Sequence, residues 1–469
     1  MKNRRIITLL SMFTLLAGCS ETKLPKLKKM DLSDAIALFC AVPYENDEIR
    51  YRRTSSGGLS HDEFNEKANF YKIDKNGVAS IVNFQTKKSE NDKEILQSIW
   101  SAEIFDINDE YFYFSPRFRE DDYLVNKETG EAVFLKDSSA RFYGFGSYDA
   151  PYYKCALPKD SKGNIYTASL GNNYKTKMNG QDITLCGYAV GKLSINNGKY
   201  EEKAIYKNEN LYPFSASMIA ADKDGNVAVK TFPFDENVLP KEVYITNDGN
   251  VIDIKTEEYF KEEDYYHSTK HYFQGYDGEI YTNEKNNICR IIPLKNNDGK
   301  IIDISQSPLF ELPSYAFEAF DNENNLLYID ETKTIVLAVN HDNYLEFYSI
   351  YGNQAGQKIL SYEKDDETNK YNMYYRSKDS LYSVWDGKIL RFKFLNEPTV
   401  QSVTIADLSG YNKVTRDNKI IYEFYDRGIV DKRILRYIGF YDFESNETKM
   451  VENIKFDYIS DHNTHFVAL

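Results

Sequence analysis

The chain has 469 residues, a formal net charge of −14, and 42% hydrophobic and 15% aromatic residues. This is enough chain for a large core, but it lacks the cationic footprint that a nucleic-acid backbone demands, so nucleic acid is excluded as a partner. Its five cysteines show no Cys-x-x-Cys spacing, which removes support for a zinc or thioredoxin-like centre.

Lys2, Arg4 and Arg5 precede an apolar stretch from Ile6 to Ala17. About a dozen apolar residues behind a positive start is the pattern of an export signal and is too short for a permanent membrane span. The run Leu16-Ala17-Gly18-Cys19 resembles the lipobox of bacterial lipoproteins. That resemblance implies a signal peptide over residues 1–18, lipidation of Cys19 with fatty acyl chains, and a place in the bacterial cell envelope. The chain would be anchored to the membrane through lipid and face the extracytoplasmic side. Ser20 stands where an inner-membrane retention signal would have Asp, so inner, outer or single membrane stays open.

Residues 19–67 read as the lipidated cysteine, a short basic tether and an irregular segment. Export permits disulfides, and Cys40, Cys155, Cys186 and Cys289 remain after lipidation. Four cysteines allow three full pairings. Cys155 with Cys186 is the first pair to test, because both fall in one proposed structural unit.

From residue 68 to 469, short alternating aromatic and β-branched runs are separated by Asp, Asn and Gly, an all-β pattern. Two turn types alternate. The first is clearest in Asp160-Ser161-Lys162-Gly163-Asn164, Asp222-Lys223-Asp224-Gly225-Asn226 and Asp277-Gly278. Weaker copies lie near Asn108, Glu331, Asp379, Asp417 and Asp461. The second is clearest at Asp74–Gly77, Lys127–Gly130, Ile195–Gly198, Asn247–Asn250 and Asn297–Lys300, with degenerate copies near Gly352, Asn396 and Glu444. Tight hairpins need positive φ, which Gly and Asx residues supply. A spacing of roughly 50 residues between like turns is that of a four-stranded propeller blade. The expected fold is an all-β propeller of eight blades, with seven as the alternative. It is closed by pairing an N-terminal hairpin (69–84) with a C-terminal one (456–469), which protects both edges. The Asp-x-x-Gly-Asn turn resembles those of NHL-repeat and sensor-type propellers, which supports the fold and transfers no site residue.

Chemistry is sparse. His267 and His271 stand four apart without the Glu of a metalloprotease helix, and Asp222–Asn226 lacks the Gly and Glu positions of a calcium loop. No Gly-x-Ser-x-Gly elbow is present. No catalytic residue, metal or cofactor is expected. The excess is aromatic, with 39 Tyr, 28 Phe and 2 Trp. In the resembling families, loops between blades ring a channel where ligands bind. This nominates Tyr143, Tyr212, Tyr265, Tyr266 and Tyr315, with Arg141 and His267 as polar candidates. The expected function is binding of a glycan, peptide or protein partner. The alternatives are a channel enzyme of lyase or glycoside hydrolase type and an envelope assembly scaffold.

Overall fold

The computed structural model describes residues 31–41, 69–82, 103–106, 110–115, 122–135, 158–178, 181–196, 199–208, 211–212, 219–233, 241–254, 271–321, 325–364, 374–385, 388–394, 397–405, 412–427, 434–453, 456–457 and 467–469. The strands among them form eight antiparallel sheets, five of them meanders in which each strand pairs with its chain neighbour.

Sheet I holds Ala35–Ala41, Asn69–Asp74, Ala79–Ile81 and Val467–Ala468. Sheet II holds Glu103–Asp106, Tyr111–Ser115, Asp122–Asn126 and Ala132–Leu135, and sheet III Ile165–Met178, Gln181–Asn196 and Lys199–Asn208. Sheet IV is Ile219–Ala221, Val227–Pro233, Lys241–Ile245 and Val251–Asp253, with Leu211–Tyr212 beside its second strand. Sheet V is Tyr272–Gln274, Ile280–Glu284, Asn287–Lys295 and Ile301–Glu311. Sheet VI is Leu326–Ile329, Thr334–Asn340, Tyr344–Tyr351 and Lys358–Glu363, and sheet VII Tyr374–Arg376, Ser380–Trp385, Lys388–Lys393 and Thr399–Thr404. Sheet VIII is Asn412–Val414, Lys419–Arg427, Ile434–Asp442 and Glu447–Met450, with Phe456–Asp457 beside its third strand. A short helix, Ser314–Phe317, followed by a 3₁₀ turn, Glu318–Asp321, leads from sheet V to sheet VI.

Burial along each sheet explains the sequence pattern. The four residues of Leu326–Ile329 are all buried, as are the middle five of Thr334–Asn340, whereas Lys358–Glu363 is exposed or half-buried throughout. A strand covered on both faces reads as continuous apolar residues, and one at the rim does not. The inner strand Leu326–Ile329 is therefore covered from two sides, by sheets V and VII. Ala220, Ala228 and Tyr244 of sheet IV share a core with Tyr272, Ile280 and Ile291 of sheet V. Leu327, Val336 and Phe347 of sheet VI share one with Leu381, Leu390 and Phe392 of sheet VII. Sheets III and IV, V and VI, and VII and VIII pack in the same way.

The last sheet packs on the first. Ile421, Ile438 and Phe440 of sheet VIII enclose Ile36, Phe39, Tyr71 and Ile73 of sheet I. The Asn453 side chain receives Ala79 N at 3.0 Å and donates to Ala79 O at 2.7 Å. In sheet I, Leu38 lies opposite Val467 and Ala37 opposite Ala468, and Leu469 N donates to Ile36 O at 3.0 Å. The chain ends thus share a sheet, but as three strands plus one instead of two hairpins. Phe456–Asp457 pairs with Leu435 and Arg436 of sheet VIII. The extra strand, Ala35–Ala41, lies inside the segment read from sequence as irregular. Its run Ala-Ile-Ala-Leu-Phe-Cys-Ala has no polar alternation to mark a strand, because it is covered on both faces.

Candidate functional site

Of the residues nominated from sequence, Cys19, Arg141, Tyr143, Cys155, Tyr265, Tyr266 and His267 lie outside the described residues. Tyr212 and Cys186 are placed only as strand positions, opposite Phe232 and Asn173 respectively. Tyr315 is described and 44% exposed. His271 is buried, its ring stacked 6.3 Å from that of Phe320. Cys289 is buried in the second hairpin of sheet V, opposite Thr282.

The turns between first and second strands are built alike. Asp222 Oδ1 accepts the backbone N–H of Asp224 at 2.9 Å and of Asn226 at 2.8 Å, while Oδ2 accepts Asn226 Nδ2 at 2.7 Å and Tyr244 Oη at 3.0 Å. Asp160 does the same with Lys162, Asn164 and Tyr166. Asp277 accepts Glu279 N at 3.1 Å and Tyr281 Oη at 2.7 Å. An Asp opening the turn thus fixes its backbone and anchors a tyrosine of the same sheet. Gly225, at φ 86°, has a second reason to be glycine: a Cβ there would lie 2.5 Å from Tyr166 Oη of the preceding sheet.

Successive turns are tied to one another. Ser161 N donates to Lys223 O at 2.9 Å, and Lys223 N donates to Gly278 O at 2.6 Å, linking sheets III, IV and V. Glu331 N donates to Lys378 O at 2.8 Å and Lys378 N to Arg416 O at 3.2 Å, linking sheets VI, VII and VIII. Lys159 Nζ reaches back to Glu110 of the turn segment of sheet II at 2.6 Å. Between sheets V and VI no backbone hydrogen bond among the described residues joins the turns, and side chains bridge the gap instead. Tyr276 Oη donates to Asp330 Oδ1 at 3.1 Å, and Tyr351 Oη lies 3.1 Å from Asp277 N.

A cavity of about 370 Å³ opens at this end, lined by turn residues of sheets III to VII. Sheet III contributes Lys159, Asp160 and Ser161, sheet IV contributes Lys223, and sheet V contributes residues 274 to 278. Sheet VI adds Tyr328 and Asp330, and sheet VII adds Arg376. The Gln274 amide bridges sheets III and V past sheet IV, donating to Lys159 O at 2.6 Å and accepting Lys159 N at 3.2 Å. Arg376 Nη1 sits 3.5 Å from Asp330 Oδ1 and 3.4 Å from Tyr328 O. The Tyr276 and Tyr328 rings meet edge to face at 6.1 Å, and Lys333 Nζ lies 5.1 Å from the centre of the Tyr276 ring.

Two aspartates of one motif differ in electrostatics. For Asp160, which faces the cavity, burial raises the carboxyl. Hydrogen bonds from Asn164, Tyr166 and Lys162 outweigh that and hold it below the ordinary range. For Asp222, which is more enclosed and does not line the cavity, burial wins over hydrogen bonds from Asn226, Tyr244 and Asp224, and the carboxyl is raised.

The opposite end carries a second polar cluster. Glu346, 4% exposed, accepts Lys358 Nζ at 2.7 Å and Tyr348 Oη at 3.1 Å and lies 3.2 Å from His341 Nε2. Burial raises its carboxyl, but these partners hold it below the ordinary range. Tyr348 and Tyr315 hydroxyls are 2.6 Å apart, and His341 stacks on Tyr344 at 4.1 Å. Tyr315 thus belongs to a filled network, not to the cavity.

Sequence reasoning recognised the turns around Asp160, Asp222 and Asp277 as fold elements and missed them as a lining. The signal was there in part: Gln274-Gly275-Tyr276-Asp277-Gly278 packs two functional side chains into a turn whose fold needs only the Asp and Gly. Asp330 and Arg376 carried no signal, since they belong to degenerate copies.

No protein-family model matches the chain, and no curated protein matches it. Solved structures that are similar include a streptogramin B lyase, at 15% identity and TM-score 0.34 over 68% of this chain and 89% of that one. A eukaryotic initiation factor is similar at 9% identity and TM-score 0.38, over 92% and 100%. An aldose sugar dehydrogenase from Streptomyces coelicolor is similar at 10% identity and TM-score 0.25, over 72% and 97%. No role for any residue here is taken from them.

Proposed function

We propose that this chain is a lipid-anchored, extracytoplasmic β-propeller of eight blades that binds a hydrophilic ligand at the mouth of its central axis. Four facts support the ring: sheets that pack in chain order, inner strands that touch from one sheet to the next, the shared core of sheets VIII and I, and the seating of Val467–Ala468 in sheet I. The lipobox-like Leu16–Cys19 supports the anchor. The observation that carries the binding reading is the convergence of turns from five sheets on one cavity of about 370 Å³, within the range of small-molecule sites.

The cavity favours binding over acid–base catalysis. A general acid needs a carboxyl held up toward neutral pH and pointed at substrate. Asp160 faces the cavity with its carboxyl held down, Asp330 lies against Arg376 and accepts from Tyr276, and Asp277 holds Glu279 N and Tyr281 Oη of its own sheet, whereas the raised Asp222 is shut behind its own turn. A scaffold role has one observation in its favour: Ile292, Leu294, Ile302 and Leu309 of the last hairpin of sheet V are exposed aliphatics.

Two measurements test the proposal. Cys19→Ser should move the chain from the membrane fraction to the soluble extracytoplasmic fraction, and retention at the membrane would contradict the anchor. A thermal-shift screen of hydrophilic small molecules against the full chain should yield ligands whose shift disappears in Arg376→Ala. Hits indifferent to that change would place binding elsewhere.

A further inference from the structure

Resting on the pocket reading above, we propose that the ligand is a neutral saccharide of one or two rings, held at the seam between sheets V and VI. Among the described residues the lining is charge-balanced, with Lys159, Lys223 and Arg376 set against Asp160, Asp277 and Asp330. Each cation already has a carboxylate partner, Lys159 in Glu110 at 2.6 Å, Lys223 in Glu279 at 2.6 Å and Arg376 in Asp330 at 3.5 Å. A phosphate or carboxylate ligand would have to displace these partners while facing three lining aspartates, and a cation would meet the converse. A neutral ligand meets neither cost.

Among the described residues the lining has no aliphatic side chain, so they give a peptide no pocket for an apolar anchor. What it offers is alternating polarity. The Arg376 guanidinium donates, the Asp330 carboxylate, ion-paired with it at 3.5 Å, accepts, and the Tyr276 hydroxyl, which donates to Asp330, can also accept. Vicinal sugar hydroxyls, each a donor and an acceptor, complement that set. Tyr276 and Tyr328 supply ring surface for the C–H face of a pyranose. The seam is also where side chains alone join the two hydrogen-bonded arcs of turns, so a sugar there would add a bridge between them.

The experiment is isothermal titration of the full chain in detergent. The probes are glucose, galactose, mannose, N-acetylglucosamine and their β-1,4-linked dimers, with glucuronate, glucose 6-phosphate and trialanine as matched contrasts. At least one neutral sugar should bind, with the anionic analogue at least tenfold weaker. Arg376→Lys should weaken binding tenfold or more, and Tyr276→Phe by a few-fold, with the far-ultraviolet circular dichroism of the folded chain unchanged in both. Preference for glucuronate, glucose 6-phosphate or trialanine would overturn the saccharide assignment and leave the pocket reading intact. Binding of a neutral sugar that ignores Arg376→Lys would overturn the location. Silence from every neutral sugar would overturn the proposal, while hits in the thermal-shift screen that need Arg376 would keep the pocket reading alive.

Discussion

The turns of sheets III to V and those of sheets VII and VIII hold their backbones by different chemistry. In the first group a carboxylate opens the turn, as Asp222 does for Asp224, Asn226 and Tyr244. In sheets VII and VIII hydroxyls do this work: Ser377 Oγ accepts Ser380 N at 3.1 Å and Thr415 Oγ1 accepts Lys419 N at 3.0 Å. The tyrosine anchor survives the exchange. Tyr382 Oη donates at 2.7 Å to Asn418 Oδ1, and Asn418 holds φ 67° where the turns of sheets III to V have glycine. One structural demand, an acceptor for backbone donors and for a tyrosine, is thus met by Asp-Gly-Asn in one arc and by Ser or Thr with Asn in the other.

This difference yields predictions in order of size. Asp222→Ala leaves two backbone donors, an amide and the Tyr244 hydroxyl without their acceptor, and should cost about 3 kcal/mol in denaturant unfolding. A loss below about 1 kcal/mol would mean that water replaces the carboxylate. Gly225→Ala meets both φ 86° and the Tyr166 hydroxyl and should cost about 2 kcal/mol; Gly163→Ala, at φ 79° with open space around it, should cost about 1 kcal/mol. Equal losses at both would remove the packing role assigned to Gly225. Ser377→Ala should cost about 1 kcal/mol, since a neutral hydroxyl supplies fewer and weaker bonds.

Acid should act through both arcs. Asp160 and Glu279 in one arc and Asp379 and Asp417 in the other have carboxyls held below their ordinary range by hydrogen bonds and cations that outweigh burial. Their contribution is complete above the unfolded-chain range near about pH 4 and is lost as pH falls through the lower folded values. Asp222, shifted upward, runs the other way and gains relative stability as it protonates. The melting temperature should therefore fall between about pH 5 and pH 2, and more steeply in Asp222→Asn, which lacks the opposing group. An identical slope in the two proteins would contradict the upward shift.

The same contrast explains what was legible in the sequence. Asp160, Asp222 and Asp277 stood out because glycine and asparagine accompany them, and their spacing revealed the repeat. The turns near Asp379 and Asp417 stood out only weakly, because Ser377 and Thr415, which accept their backbone donors, come without the glycine that marks the other arc. Ala35–Ala41 was passed over because a strand covered on both faces shows no alternation. The cavity was illegible for a geometric reason. Arg376 and Lys159 are 217 positions apart and come to line one cavity only through the packing of the sheets between them.

The ring itself is tested most directly by joining its ends. Ala37 and Ala468 are register partners in sheet I, so cysteines at both positions should form a disulfide under mild oxidation, identified by mass spectrometry of the linked peptides. The account predicts that link and a chain more resistant to denaturant by about 3 kcal/mol or more, because the bond closes a loop spanning nearly the whole domain. Cysteines that stay reduced at 37 and 468 in the folded protein would contradict the closed ring and, with it, a single cavity at its axis.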